Sequence, residues 1–319
     1  MSEHTVSGDT TRRRPSGPTL AQQESRLAYV MLIPTLLIVI CIVITPVLWN
    51  IWMSLKRVRL GDLQSVDLWA FDLTLRNYDF VLSGRNFWPV FQTTIVYTLL
   101  GTILTLLLGL AAAMLVRDSF PGRNIFRGFL LFPYIAPVVA VAFVWRIMFD
   151  AQFGIVNQLL DQPVAFLTQR FVTVDLLGFE VRWPMALTMV ILFDGWRYFP
   201  FAFLFILARL QALPSELYEA ASVDGAVPSQ RFWYVTLPQI TGVLGTIFLL
   251  RFIWTFNKFD DIYLLTGGAG GTEVLPVSIY DYLTGRGDIG AASALSMVMA
   301  VFLIVFLTLY FRFIVREET

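Results

Sequence analysis

Apolar and polar residues alternate along this chain in long blocks. Six apolar runs are separated by polar segments, at about residues 27–55, 91–116, 126–149, 184–209, 239–265 and 289–313. Each run is near or above the ~20 residues with which a helix crosses ~30 Å of hydrocarbon. The pattern therefore predicts an all-α polytopic membrane protein with six transmembrane helices.

The first residues differ from the rest in being polar throughout. Residues 1–25 include three consecutive arginines, Arg12, Arg13 and Arg14, followed by Pro15 and Pro18. This composition predicts a disordered tail, because it offers almost no apolar surface to bury. The membrane domain is then expected to occupy residues 26–319.

A polar island interrupts the apolar blocks between the fourth and fifth runs, at about residues 210–238. Pro214 suits the first position of a short helix, where its missing N–H has no partner to lose. Asp224-Gly225 is a turn signal, with glycine supplying the left-handed residue that ends a helix. Pro228 then opens a second short helix that Pro238 closes. The island predicts a helix–turn–helix outside the membrane.

Two of the apolar runs contain charged and polar residues, which are expensive at bilayer depth and usually face a partner or a cavity. The fourth run carries Asp194, Trp196, Arg197 and Tyr198, and the fifth carries Arg251, Trp254, Thr255, Asn257, Lys258, Asp260 and Asp261. Asp194 and Arg197 are three residues apart on one helix face and could pair.

Arg251, Thr255 and Lys258 fall at i, i+4 and i+7, which is one stripe of a helix. Donors beside an aromatic ring suit a sugar, whose hydroxyls accept and donate hydrogen bonds and whose apolar ring face stacks. The alternative is structural: a buried pair that fixes packing, with Asp260 and Asp261 at the membrane interface.

Composition narrows the function classes. The chain has 319 residues, of which 57% are hydrophobic and 14% charged, with a net charge of zero. A chain without net positive charge has no overall electrostatic attraction for nucleic acid, so a nucleic-acid-binding protein is not indicated. Cys41 and His4 are the only cysteine and histidine, so an internal disulfide is impossible and histidine-based catalysis or zinc chemistry is nearly excluded. Basic residues divide almost equally between the two sides of the membrane, so charge bias leaves the orientation open.

The polar island resembles the "EAA" coupling loop of ABC importer permeases, in which E-A-A is followed after three residues by G and later by L-P. The match runs from Leu210-Gln211 to Leu237-Pro238. The resemblance implies the type I importer permease fold with the loop and both termini in the cytoplasm. The residues that it implies for coupling to an ATPase are Glu219, Ala220, Ala221, Asp224, Gly225 and Ala226.

Other stretches are similar to the carbohydrate branch of that family, among them Trp254-Thr255-Phe256 and Ile262-Tyr263-Leu264-Leu265-Thr266-Gly267-Gly268. In that branch the helices before and after the coupling loop supply the substrate site. The predicted substrate residues are therefore Asp194, Trp196, Arg197, Arg251, Thr255, Asn257 and Lys258. These positions are more charged here than in maltose-type permeases, so an anionic solute such as a glycerol phosphate is an alternative to a sugar.

The resemblance also implies partners, since the chain has no nucleotide-binding signature and is not itself an enzyme. ATP and Mg²⁺ are expected on two copies of a cytoplasmic ATPase. A second, different permease and an extracytoplasmic binding protein complete the assembly, in the inner or plasma membrane of a bacterium or archaeon. A secondary transporter that uses Asp194, Asp260 or Asp261 as an ion relay is the alternative from another class, although no inverted repeat is visible.

Overall fold

The computed structural model describes residues 20–313, apart from 66, 68, 161–163 and 177–178. The predicted tail at 1–25 lies mostly outside this part, and the first helix begins at Leu20. The helices in chain order are α1 (Leu20–Ile38), α2 (Thr45–Ser54), α3 (Arg76–Leu82), α4 (Phe87–Leu115), α5 (Arg123–Ile135), α6 (Val138–Met148), α7 (Ile155–Leu160), α8 (Met185–Gln211), α9 (Ser215–Val223), α10 (Pro228–Arg231), α11 (Leu237–Phe256), α12 (Asp260–Thr266), α13 (Leu275–Tyr280) and α14 (Ile289–Phe313).

Shorter elements connect these helices. Val39–Ile44 is a π-helical segment that joins α1 to α2 in one continuous helix. Two further π-helical segments, Phe232–Thr236 and Asp281–Gly285, follow α10 and α13. Leu60–Asp62 and Ala269–Gly271 are short 3-10 turns.

A two-stranded antiparallel hairpin lies between α7 and α8. Strand β1 (Val172–Leu176) pairs with β2 (Phe179–Trp183), and Val172 stands opposite Trp183. The search for long apolar runs did not predict these strands, because each has five residues in which apolar and polar side chains alternate.

The chain divides into two compact units, Met1–Trp52 and Met53–Thr319. The first unit contributes the long apolar helix that begins at α1. The second unit holds all the other helices, the hairpin and every residue of the candidate sites described below.

The prediction of membrane-spanning helices is confirmed. Five helices of the described residues are long and apolar enough to cross a membrane: Glu24–Ser54, Phe87–Leu115, Met185–Gln211, Pro228–Phe256 and Ile289–Phe313. The third predicted span is instead a pair of helices, α5 and α6, bent by 92°. Counting this pair as one span gives six.

The break in the third span follows from its prolines. Ala136 precedes Pro137 and adopts an extended conformation, with φ −63° and ψ 140°. A proline disfavours the helical conformation for the residue before it, since its ring clashes with the preceding backbone. The broken span leaves carbonyl groups at the end of α5 without partners inside the helix.

The fifth predicted span, 239–265, is also divided. Helix α11 ends at Phe256 and α12 begins at Asp260, so Asn257, Lys258 and Phe259 lie between two helices. The expectation that Pro238 closes a short helix is wrong. Pro238 is the second residue of α11, where a missing N–H is tolerated, and helical backbone runs from Pro228 to Phe256.

The second unit is built around the contact between α4 and α8. Gly109 lies so close to α8 that a Cβ added to it would be 2.6 Å from the Cβ of Ala202. A Cβ on Gly101 would be 2.9 Å from Oδ2 of Asp194. The close approach of α4 and α8 at Gly101 and Gly109 is in keeping with the small residues found where membrane helices touch.

Candidate functional site

A buried ion pair joins α8 to α11 at the centre of the second unit. Nη2 of Arg251 donates to Oδ2 of Asp194 at 2.8 Å, and both side chains are almost inaccessible to solvent. The hydroxyl of Tyr97 on α4 donates to Oδ1 of the same carboxylate at 3.2 Å. Three helices therefore meet at Asp194, and its charge is matched by one cation and one further hydrogen bond.

The possible pairing of Asp194 with Arg197 is not formed, because each has another partner. Arg197 is also buried, but its guanidinium donates to the backbone carbonyls of Pro133 at 3.5 Å and Ala136 at 3.1 Å. These are carbonyls that the break between α5 and α6 leaves without a helical partner. Arg197 thus caps the broken third span, and the cation for Asp194 comes from the next long helix.

Tyr198 forms a second layer beside this ion pair. The guanidinium carbon of Arg251 lies 4.3 Å from the centre of the Tyr198 ring, and Nζ of Lys258 lies 4.6 Å from it. Nζ of Lys258 also donates to the Tyr198 hydroxyl at 2.9 Å and lies 3.7 Å from Oδ1 of Asp260. The guanidinium carbon of Arg197 lies 5.6 Å from the same ring centre, so three cations surround one aromatic ring, an arrangement that the ring quadrupole favours.

The predicted helical stripe of Arg251, Thr255 and Lys258 is only partly formed. Arg251 and Thr255 belong to α11, whereas Lys258 lies beyond its end. The break turns Lys258 toward Tyr198 and leaves the hydroxyl of Thr255 buried without a hydrogen-bond partner in the described part of the chain. The carboxylate of Asp261 is likewise buried and without such a partner there.

Trp196 and Asn257 are not brought into this cluster. The Trp196 ring packs against Trp145, with ring centres 5.7 Å apart, and against Phe193 at 6.5 Å. The exposed side-chain amide of Asn257 donates to the carbonyl of Ile253 and so caps the end of α11. Trp196 thus contributes to aromatic packing and Asn257 to the end of a helix, and the sequence alone indicated neither contact.

An aromatic row that the predicted set omits extends from the cluster toward the surface. Phe201 packs against Trp254 with ring centres 5.1 Å apart and against Tyr134 at 6.4 Å, and Tyr134 in turn approaches Tyr198 at 6.2 Å. Tyr134 and Trp254 are 42% and 45% exposed, so the row presents accessible ring surface. Helical spacing in the sequence could have revealed this aromatic row, because Phe201 follows Tyr198 by three residues and Trp254 follows Arg251 by three, which places each pair on one helix face.

The polar island forms the predicted helix, turn and helix. Helix α9 ends at Val223, Gly225 takes the left-handed conformation with φ +78°, and the N–H of Ala226 donates to the carbonyl of Ala221 at 2.9 Å. Pro228 opens α10 as predicted. Pro214 lies one position before the helix and not inside it.

The predicted coupling residues form an accessible surface. The structure leaves Glu219, Ala220, Asp224 and Gly225 exposed, and Ala221 and Ala226 partly exposed. A cleft of about 780 Å³ opens beside α9 and includes Glu219, Arg117 and Arg231 in its lining. Small residues at the turn leave the backbone open to close approach by another surface.

Comparison with known proteins identifies this architecture. The family described as "Binding-protein-dependent transport system inner membrane component" matches residues 105–316. The chain belongs to this family. It is therefore an inner-membrane transport subunit and not an enzyme. The matched region includes the coupling loop and all the predicted substrate residues.

Relatives of this permease cover almost its whole length. It is 33% identical over 299 residues to the trehalose/maltose transport system permease protein MalF of Thermococcus litoralis, covering 92% of this chain and 95% of that one. It is 35% identical over 292 residues to the inner membrane ABC transporter permease protein YcjO of Escherichia coli, covering 89% and 92% of the two chains.

The fold of this permease is also that of a solved importer. A chain from the crystal structure of a bacterial ABC transporter involved in the import of the acidic polysaccharide alginate superimposes with a TM-score of 0.74. The match covers 92% of this chain and 97% of the other, at 20% sequence identity. The predicted ABC importer permease fold is thereby confirmed.

Proposed function

We propose that this permease is one of two different membrane subunits of an ATP-driven importer that takes up a sugar delivered by an extracytoplasmic binding protein. Two copies of a cytoplasmic ATPase supply the energy, with ATP and Mg²⁺ bound there. Both termini and the coupling loop face the cytoplasm in this arrangement. The supporting observation is that α8 and α11, which carry Asp194 and Arg251, are the long helices on either side of the coupling loop.

The aromatic row supports a sugar as the solute. Trp254, Phe201 and Tyr134 offer ring faces for the apolar face of a pyranose, and Lys258 lies close by as a hydrogen-bond donor. The similarity to a trehalose/maltose permease points in the same direction. Trehalose and maltose are therefore the first solutes to test.

The pattern of charges favours a neutral solute over an anionic one. Arg251 is paired with Asp194, Lys258 lies near Asp260, and Arg197 is bonded to two backbone carbonyls. Each cation that suggested an anionic solute is thus engaged within the chain. A phosphate or carboxylate that bound Arg251 would leave Asp194 buried without its cation, which is costly.

A reconstituted system tests the proposal directly. The complete complex in proteoliposomes is supplied with ATP at the ATPase side and with binding protein loaded with labelled trehalose or maltose at the other. We expect accumulation that requires both ATP and the binding protein. Accumulation driven by a proton or sodium gradient without ATP would favour a secondary transporter, and uptake of glycerol 3-phosphate in preference to both sugars would favour the anionic alternative.

Replacing Gly225 with valine is expected to abolish most ATP-dependent uptake while the complex still assembles in the membrane. Positive φ is strained for a β-branched residue, by roughly 1–2 kcal/mol, yet among the described residues, its two chain neighbours aside, no atom lies within 4 Å of the added Cβ. The chain itself can therefore accommodate the side chain, and the defect should arise at the turn. Uptake and ATP hydrolysis are measured together in proteoliposomes.

The matched variant is Gly225→Asn, because asparagine tolerates the left-handed conformation. Loss of uptake in the valine variant alone implicates the shape of the turn. Loss in both variants shows that another surface approaches position 225 too closely for any side chain. Normal uptake by Gly225→Val would count against a coupling role for this loop.

Replacing Trp254 with leucine is expected to slow sugar uptake by up to about tenfold, because the loss of aromatic contact removes ~0.5–1.5 kcal/mol beyond simple burial. The rate is measured at saturating loaded binding protein, so that the affinity of that protein does not limit it. Trp254→Phe keeps a ring against Phe201 and should retain most of the rate. Equal rates in all three proteins would exclude the aromatic row from the pathway.

A further inference from the structure

Helix α9, the coupling helix, has no buried core of its own. It has nine residues, Ser215–Val223, none of which is fully buried. A helix this short is marginal in water without tertiary contacts. Its orientation must therefore come from the few side chains that reach neighbouring elements, and among these Tyr218 makes the most distinctive contacts.

One face of Tyr218 is covered by a cation from the end of α4. The guanidinium carbon of Arg117 lies 3.9 Å from the centre of the Tyr218 ring. Arg117 follows α4 by two residues, since that helix ends at Leu115. A guanidinium over an aromatic ring at this distance is attractive, so the contact holds α9 to the end of α4.

The hydroxyl of Tyr218 reaches the segment that leads into α11. It lies 3.0 Å from Oγ1 of Thr236, which is buried and directly precedes Leu237, the first residue of α11. Around it, Arg231 donates to the hydroxyl of Ser222 at 3.1 Å, and that hydroxyl donates to the Tyr218 carbonyl at 2.7 Å. Tyr218 therefore also contacts the start of α11.

Arg117 is itself connected to the third span. Nη1 of Arg123 donates to the carbonyl of Arg117 at 3.4 Å, and Nη2 of Arg127 donates to the carbonyl of Val116 at 3.0 Å. Both arginines belong to α5, and they occupy carbonyls that the end of α4 leaves without helical partners. The residue that covers the Tyr218 ring is thus attached to a defined backbone position.

The same two helices carry the partners of Asp194. Tyr97 on α4 and Arg251 on α11 both donate to that carboxylate. At a helical rise of 1.5 Å per residue, Tyr97 is about 30 Å from Arg117, which lies just beyond the end of α4. Arg251 is likewise about 22 Å from Thr236, which directly precedes α11. Helices α4 and α11 are therefore connected twice, once to α8 at Asp194 and once to α9 at Tyr218, and only residues 212–214 separate α8 from α9.

We infer that Tyr218 is a positioning residue that ties the coupling helix to α4 and α11, so that movement of the loop reaches both partners of Asp194 and not α8 alone. This inference rests on the proposed function of the loop. The contacts of Tyr218 with Arg117 and Thr236 would then transmit movement of the coupling helix to α4 and α11. Tyr218 is not among the predicted coupling residues, which form the surface for the ATPase. Tyr218 itself does not need to touch the ATPase.

The test uses variants that remove the contacts one at a time. Tyr218→Phe removes the hydroxyl and keeps the ring, Arg117→Met removes the cation, and Tyr218→Leu removes both contacts. Tyr29→Leu, at an exposed tyrosine of α1, is the control for the same substitution elsewhere. Two quantities are measured in the full complex: sugar transported per ATP hydrolysed, and amide hydrogen exchange of residues 215–223.

We expect Tyr218→Leu to lower the transport per ATP about tenfold and to accelerate exchange of residues 215–223 about tenfold, as for loss of contacts worth ~1.4 kcal/mol. The two single-contact variants should give intermediate values, and exchange of residues 97–113 should not change. Should Tyr218→Leu fail to fold, the combination of Tyr218→Phe with Arg117→Met replaces it.

Different failures have different meanings. A wild-type transport ratio in Tyr218→Leu, or an equal loss in Tyr29→Leu, would overturn the positioning role. Absence of ATP-dependent uptake in the wild-type complex would refute the proposed function. In that case hydrogen exchange of residues 215–223 still reports whether Tyr218 and Arg117 orient α9.

Discussion

Replacing Arg251 with methionine is expected to destabilise the permease by about 3–5 kcal/mol, the typical effect of breaking a buried ion pair from one side. The substitution leaves Asp194 buried with only the Tyr97 hydroxyl as a partner. It also removes one of the cations that lie against the Tyr198 ring. Thermal unfolding of the purified protein in detergent should show a clearly lower midpoint, and transport should fall with it.

The double variant Asp194→Asn/Arg251→Met is the matched control. Asparagine keeps an acceptor for Tyr97 but carries no charge, so no uncompensated charge remains in the interior. Because a buried ion pair often adds little net stability over an uncharged pair, the double variant should recover most of the loss. If it is as unstable as Arg251→Met alone, the charge of Asp194 is not the cause, and loss of packing around Arg251 has to be considered instead.

Replacing Gly109 with valine is expected to produce the second large effect, a loss of about 1–3 kcal/mol or more from overpacking. Even its first added atom would lie 2.6 Å from the Cβ of Ala202 and 2.9 Å from the backbone nitrogen of Phe203. Backbone cannot move aside as a side chain can, so α4 and α8 would have to separate. The unfolding midpoint in detergent and the yield of assembled complex are the measurements.

Gly128 provides the control for that substitution. It lies within α5, and outside the neighbouring backbone of that helix none of the described residues comes within 4 Å of a Cβ added there. Gly128→Val should therefore leave stability nearly unchanged, because the side chain meets no neighbour and any residue with a Cβ restricts the unfolded chain more than glycine does. An unfolding midpoint in Gly109→Val equal to that of the parent protein would show that the close approach of α4 and α8 is not required.

The features that the sequence predicted well depend on neighbouring residues. Blocks of apolar residues located the membrane helices, since the length of helix needed to cross a bilayer is set by its thickness. The turn at Asp224-Gly225 and the start of α10 at Pro228 followed from the backbone preferences of single residues. The family was also evident at this level, because its signature is a contiguous loop.

The features that it did not predict depend on residues far apart in the chain. Asp194 had a possible partner three residues away, yet its cation comes from position 251, because the break at Ala136-Pro137 provides Arg197 with other acceptors. Lys258 left the predicted stripe because α11 ends at Phe256. Trp196 packs against Trp145 of the third span, a contact between distant residues that the sequence did not indicate.

The sequence by itself determined the class of protein, the helices that cross the membrane and the turn of the coupling loop, since hydropathy and local backbone preference act within a few residues. Only the tertiary structure decided which charges pair, which aromatic rings remain accessible and which side chains orient the coupling helix. These outcomes depend on which helix faces come together. A polar group buried there takes the best partner within reach, wherever in the chain that partner lies.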